Sequence, residues 1–241
     1  MTPYLLGPCI VGLVLTALLD GKKGIKQLFK KLTHWRFKPK WYALCALLLP
    51  LLAMLILWFL SRFSNDYIPD ILTADNKLNL VVSGLVYGII GGGLFEELGW
   101  SGFVVPRLRQ RYSVFKTGLI VGFFWGAWHF LPILWGCGDA SGSLQLSMFL
   151  PGFFFHYAGL IPFRIIMVWI LEQTKSLLGP IIMHATLTAF LFFIFNISKF
   201  GVPLFIYYAC LALAFWMIVI YLIRKKGIHK KQLETNEVHQ E

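Results

Sequence analysis

Seven long apolar runs separated by short polar stretches set the pattern of this chain. They cover 3–19, 41–61, 78–105, 117–135, 146–171, 177–198 and 200–223. A helix needs about 20 mostly apolar residues to cross a bilayer. Six runs meet that length and the first falls slightly short of it. The pattern predicts an all-α, polytopic transmembrane bundle of about seven spans. The third run is too long for an upright helix. Its Gly91, Gly92 and Gly93 predict a bend or the close approach of another helix. Pro50 predicts a kink in the second span.

The polar stretches orient the bundle. Residues 21–40 hold eight Lys or Arg and no acid. Ile25, Leu28, Phe29 and Leu32 recur there at helical spacing, which predicts a basic amphipathic segment on an anionic inner leaflet. With the N-terminus outside and the C-terminus cytoplasmic, all of the 22 Lys and Arg except Arg62, Lys77 and Lys199 fall on the inner side or in the inner half. This matches the positive-inside rule. No basic residue precedes the first run, Lys22 and Lys23 follow it, and no small-x-small site appears. It therefore reads as a span and not as a signal peptide. The chain divides into a first span with its basic segment (1–40), a membrane core (41–223) and a polar cytoplasmic tail (224–241) expected to be disordered.

Composition agrees: 58% of residues are apolar, 14% are charged, and mean hydropathy is +0.70. Soluble domains carry about a quarter charged residues. The net charge of +11 belongs to inner loops, and nucleic acid is not an expected partner. The expected surroundings are a lipid bilayer, as a multi-pass protein of a bacterial plasma membrane. Cys9, Cys45, Cys137 and Cys210 are scattered and form no CxxC pair, so they read as small apolar residues.

Glu96 and Glu97 are the only charged residues from Leu78 to Val105. A charge at that depth costs at least a few kcal/mol and marks a functional site by default. Adjacent helical residues point about 100° apart, so one carboxylate is expected to face a reaction centre and the other a supporting partner. At 1.5 Å per residue, Glu96 lies roughly 14 Å from the inner boundary, His129 roughly 18 Å, and His184 and Arg164 roughly 12 Å each. Thr188 sits one turn from His184. Four spans thus place polar groups in one layer. His156, nearer the outer half, reads as a core histidine. Such a layer suits water activation for hydrolysis, a divalent metal held by His and Glu, or an ion relay. No inverted repeat supports the relay, which leaves hydrolysis favoured.

Three separated motifs resemble one family. The run Glu96-Glu97-Leu98-Gly99-Trp100-Ser101-Gly102-Phe103 with Pro106-Arg107-Leu108 is similar to an EExxxR-type first motif. Residues 124–132, with Trp128-His129-Phe130-Leu131-Pro132, are similar to the second, and Met183-His184-Ala185-Thr186-Leu187-Thr188 to the third, HxxxN. Together, over roughly 40–200, they resemble the CPBP family of CAAX prenyl endopeptidases and bacteriocin-processing or abortive-infection-type intramembrane proteases. The resemblance implies a membrane-embedded peptidase acting on a peptide or lipidated protein. Glu96 would activate water, His129 would bind or orient it, and His184 with Thr188 would stabilise the oxyanion. Glu97 would support the site. A divalent metal such as zinc, held by Glu96, His129 and His184, is compatible with the resemblance, although no HExxH is present. Ser101 replaces the usual Arg and Thr188 the usual Asn. Arg164, at the same depth, is expected to supply the missing cation to Glu97 or Glu96. A non-catalytic scaffold, sensor or immunity protein on the same fold is the alternative.

Overall fold

The computed structural model describes residues 2–139 and 141–230, so the expected disorder of the tail falls, for 231–241, outside the described residues. Seven helices follow one another: α1 (Thr2–Leu32), α2 (Pro39–Leu60), α3 (Lys77–Arg109), α4 (Val114–Gly136), α5 (Leu146–Thr174), α6 (Leu178–Ile194) and α7 (Val202–Lys226). Five of them, α2, α3, α4, α5 and α7, are long and apolar enough to cross a membrane, and α6 is a shorter apolar helix. The protein is an all-helical, multi-pass membrane protein. Among the described residues, the only β-type pairing is one isolated bridge, Gly138 to Leu144, in the α4–α5 loop.

The basic segment is not a separate helix. It continues α1 beyond a turn at Gly21, whose φ of 60° a side chain would oppose. Leu28 is buried and abuts Gly102 of α3, where an added Cβ would lie 2.6 Å from its methyl. One member of the amphipathic stripe therefore docks on protein, while Phe29 stays exposed. Asn76 caps the start of α3 and Ser113 the start of α4, each through its side-chain oxygen. The helix α2 runs through Pro50 as one element and buries Cys45, Leu49, Ala53 and Leu57, four residues apart, against the bundle. All four cysteines are free thiols.

Glycines set the helix spacing. Gly118, Gly122 and Gly126 form a stripe along α4. Added Cβ atoms there would lie 2.5 Å from the Ile165 Cα, 2.8 Å from the Ile161 Cα and 2.5 Å from the His156 carbonyl oxygen. These neighbours are backbone or Cα atoms of α5, so α4 and α5 touch main chain to main chain. On α3, an added Cβ at Gly88 would sit 2.5 Å from the Ala185 oxygen of α6, and one at Gly93 would sit 2.8 Å from the Ile181 oxygen. The approach expected of the triple glycine is present. The α4 stripe, spread over nine residues, was not singled out in the sequence.

Three stretches are wound more widely than an α-helix: 88–96 and 100–104 in α3, and 187–194 in α6. Wide (i→i+5) turns are rare and concentrate at functional sites. Here they carry or flank Glu96, Ser101 and Thr188.

Gly118→Leu should destabilise the protein by about 1–3 kcal/mol, because the contacted Ile165 Cα cannot swing aside. Gly136→Ala, where no atom lies within 4 Å of the added Cβ, should change stability by less than about 0.5 kcal/mol. Thermal unfolding of both variants in the same detergent checks the contrast.

Candidate active site

Glu97 is fully buried and its carboxylate is saturated. Arg164 Nη1 donates to Oε2 at 2.7 Å, the Ser101 hydroxyl donates to the same oxygen, and His184 Nδ1 donates to Oε1 at 2.8 Å. The cation expected for this carboxylate thus comes from α5, and Ser101 adds a hydroxyl one turn along α3. Arg164 is itself wholly buried, with its guanidinium carbon 3.9 Å from the centre of the Trp125 ring. Burying two charges is repaid only when geometry is good and further hydrogen bonds complete the pair. Two donors beyond the arginine meet that condition for Glu97.

Glu96 is equally buried but differently served. The Trp125 indole N–H donates to its Oε2 at 2.9 Å. Its Oε1 faces His129 Nε2 at 3.7 Å, too far for a direct hydrogen bond and short enough for one water to bridge. His129 Nδ1 lies 2.8 Å from the Trp125 carbonyl oxygen, which can only accept, so Nδ1 carries a proton. In the neutral ring, Nε2 is then an acceptor pointing toward Glu96. The His129 side chain is 20% accessible, against 1% for Glu96, so it forms the rim of the buried centre.

His184 completes the opposite wall. With Nδ1 engaged by Glu97, its Nε2 turns toward α3. A Cβ added to Gly92 would lie 2.9 Å from that nitrogen and 2.6 Å from Thr188 Oγ1. Gly92 therefore leaves these two polar atoms facing bare backbone. The Trp125 ring meets His184 edge-on at 4.8 Å.

The structure brings Glu96, Glu97, Ser101, His129, Arg164, His184 and Thr188 together around one centre from α3, α4, α5 and α6. Two residues join them that the sequence reading left aside. Trp125 touches Glu96, Arg164, His129 and His184. Its spacing of four from His129, on one helix face, was the available signal. His156 is buried as a core histidine, with Nδ1 donating to the Gly152 carbonyl at 2.6 Å, yet its ring centre lies 5.2 Å from that of His129. The helix is interrupted at Gly159, three residues beyond His156.

A family model described as Type II CAAX prenyl endopeptidase Rce1-like matches residues 77–190. Over that stretch the chain is similar to the Rce1-like family. That span takes in α3 to α6 and therefore every residue of the centre described above. A curated relative, CAAX prenyl protease 2 of Methanococcus maripaludis, is 25% identical over 189 residues, covering 76% of this chain and 68% of the relative. The Rce1-like match supports intramembrane endopeptidase activity.

Removing one partner of a buried ion pair costs about 3–5 kcal/mol. Arg164→Met should lose that much stability, and Glu97→Gln with Arg164→Met together should lose less than the sum of the two single changes. Denaturation of the three variants in detergent measures the coupling. A coupling near zero would contradict the central role of this pair.

Proposed function

We propose that this protein is a glutamate-dependent intramembrane endopeptidase in which Glu96 is the general base and Glu97 the structural anchor. The observation that carries the reading is the unequal service of the two carboxylates. Glu97 is engaged by three side chains, whereas among the described residues the side-chain group nearest Glu96 Oε1 is His129 Nε2, at 3.7 Å. A water held between Glu96 Oε1 and His129 Nε2 would direct a hydrogen to each and leave an oxygen lone pair for a peptide carbonyl carbon.

In the proposed reaction, Glu96 takes a proton from the water as its oxygen bonds to the carbonyl carbon. The carbonyl oxygen becomes an oxyanion facing His184 Nε2 and the Thr188 hydroxyl. Collapse breaks the C–N bond, and the proton held by Glu96 passes to the leaving amine. Thr188 reaches less far than an asparagine amide, so His184 carries most of the oxyanion stabilisation. Ser101 and Arg164 act through Glu97, which in turn orients His184.

Among the described residues no three His, Cys, Asp or Glu side chains are grouped as a metal would need. His184 Nδ1 is held by Glu97 and His129 Nδ1 by a backbone carbonyl, so Nε2 is the nitrogen either ring would offer a metal. The spacing of the side chains as arranged does not fit a resident metal. The substrate class proposed is a short peptide or a lipidated protein C-terminus that reaches the membrane interior.

Removing a positioned general base costs about 10²–10⁴ in rate. Cleavage of prenylated and unmodified hydrophobic peptides by the lipid-reconstituted protein should fall by that factor in Glu96→Gln, with thermal stability kept. His129→Ala should do the same. Chelator treatment should leave wild-type cleavage unchanged. If wild type cleaves none of the peptides while both variants abolish a cellular phenotype, the centre serves binding on a non-catalytic scaffold instead.

A further inference from the structure

A cavity of about 900 Å³ lies between the basic half of α1 and the end of α3, remote from the proposed reaction. Lys23, Lys31, Arg107 and Arg111 line it, with Asp20 as their one acidic companion. Asp20 is committed to Arg107 at 2.6 Å. Among the described residues, Lys23, Lys31 and Arg111 have no ion-pair partner, so the cavity carries a net excess of three positive charges. It sits at a membrane boundary, because α3 ends at Arg109 and α4 starts at Val114.

A second cavity, about 200 Å³ and lined by apolar residues, lies between the same two helices nearer the start of α1. Pro8, Val11 and Leu15 of α1 line it opposite Trp100, Phe103 and Val104 of α3. Their linings are neighbours along the helices: Leu15 precedes Thr16 on α1, and Phe103 lies one turn from Arg107 on α3. The Arg107 guanidinium stacks over the Phe103 ring at 3.7 Å. Close packing of α1 on α3 holds the groove in shape: a Cβ at Gly12 would lie 2.7 Å from the Gly99 Cα.

We infer that this groove is a binding site for an anionic phospholipid, with the phosphate headgroup among Lys23, Lys31 and Arg111 and an acyl chain along Leu15, Trp100 and Phe103. A basic end at the interface, joined to an apolar end at membrane depth, matches an amphiphile with one phosphate. Inorganic phosphate would use only the basic end. An acidic peptide would leave unsatisfied backbone groups in the apolar end. The site does not depend on the peptidase reading.

The test titrates the purified full-length chain, in neutral detergent, with fluorescently labelled phosphatidylglycerol. Phosphatidylcholine and inorganic phosphate are the comparison ligands. Juxtamembrane basic residues each contribute measurably to anionic-lipid binding, so Lys23→Gln, Lys31→Gln and Arg111→Gln combined should weaken phosphatidylglycerol binding by roughly tenfold or more. Lys22→Gln, Lys26→Gln and Lys30→Gln combined remove the same charge from exposed positions of α1 that do not line the cavity. They should shift binding less than about twofold. Arg111→Gln alone, at an exposed position, provides the same comparison if the triple variant fails to fold. Equal losses in the two triple variants, displacement of the lipid by inorganic phosphate, or equal affinity for phosphatidylcholine would each overturn the inference.

Discussion

A charge in lipid must find its partner inside the protein, and the Arg164–Glu97 pair is where this chain meets that requirement. Much of the bundle's inner arrangement follows from it. Arg164 ties α5 to α3, His184 ties α6 to the same carboxylate, and Trp125 of α4 lies flat on the guanidinium. Four helices are thereby fixed against one another at a single depth. A displacement of any of them by an ångström would lengthen a charge-assisted hydrogen bond where no solvent replaces it.

The pair imposes a second condition, on distance. Serine, carboxylate and imidazole groups are short, so the helices bearing them must come close. Gly118, Gly122 and Gly126 bring α4 against the α5 backbone, and Gly88, Gly92 and Gly93 do the same for α3 against α6. Helix association in lipid rests on van der Waals contact and interhelical hydrogen bonds, so the glycines and the polar centre reinforce one another. The wide turns at 88–96 and 187–194 change which side chains face inward along the very helices that carry the carboxylates and Thr188.

The helices were legible in the sequence because apolar length is the strongest signal a membrane chain gives. Each expected run became a helix with ends shifted by a few residues, except the first, which continues through the basic segment to Leu32. The polar layer was legible for the same reason: Glu96, Glu97, Arg164, His129 and His184 stand out against apolar surroundings. What escaped was whatever depends on three-dimensional proximity without an unusual residue type. Trp125 is one of nine tryptophans, and only its spacing of four from His129 sets an indole that hydrogen-bonds a carboxylate apart from one in an interfacial belt. His156 matches no motif, and only its packing beside the His129 ring brings it to the centre. The basic half of α1 was legible as amphipathic, but its docking of Leu28 onto Gly102 depends on a partner 74 positions away.

The two departures from the family motif are best weighed by what each position must do. The arginine usual at position 101 would supply a cation to the adjacent glutamate pair, and a cation in the membrane interior is useful for where its charge lies, not for where it stands in the chain. Here Arg164 delivers that charge from α5, and Ser101, too short to reach across, adds a hydroxyl to the same carboxylate oxygen. Glu97 therefore loses no support. Thr188 is the less compensated change, since no other side-chain amide stands beside His184 in its place. Under the proposed mechanism, that shifts the oxyanion's stabilisation onto His184, and so onto the hydrogen bond with which Glu97 holds its ring. The same buried carboxylate that closes the ion pair then also sets the orientation of the group facing the substrate.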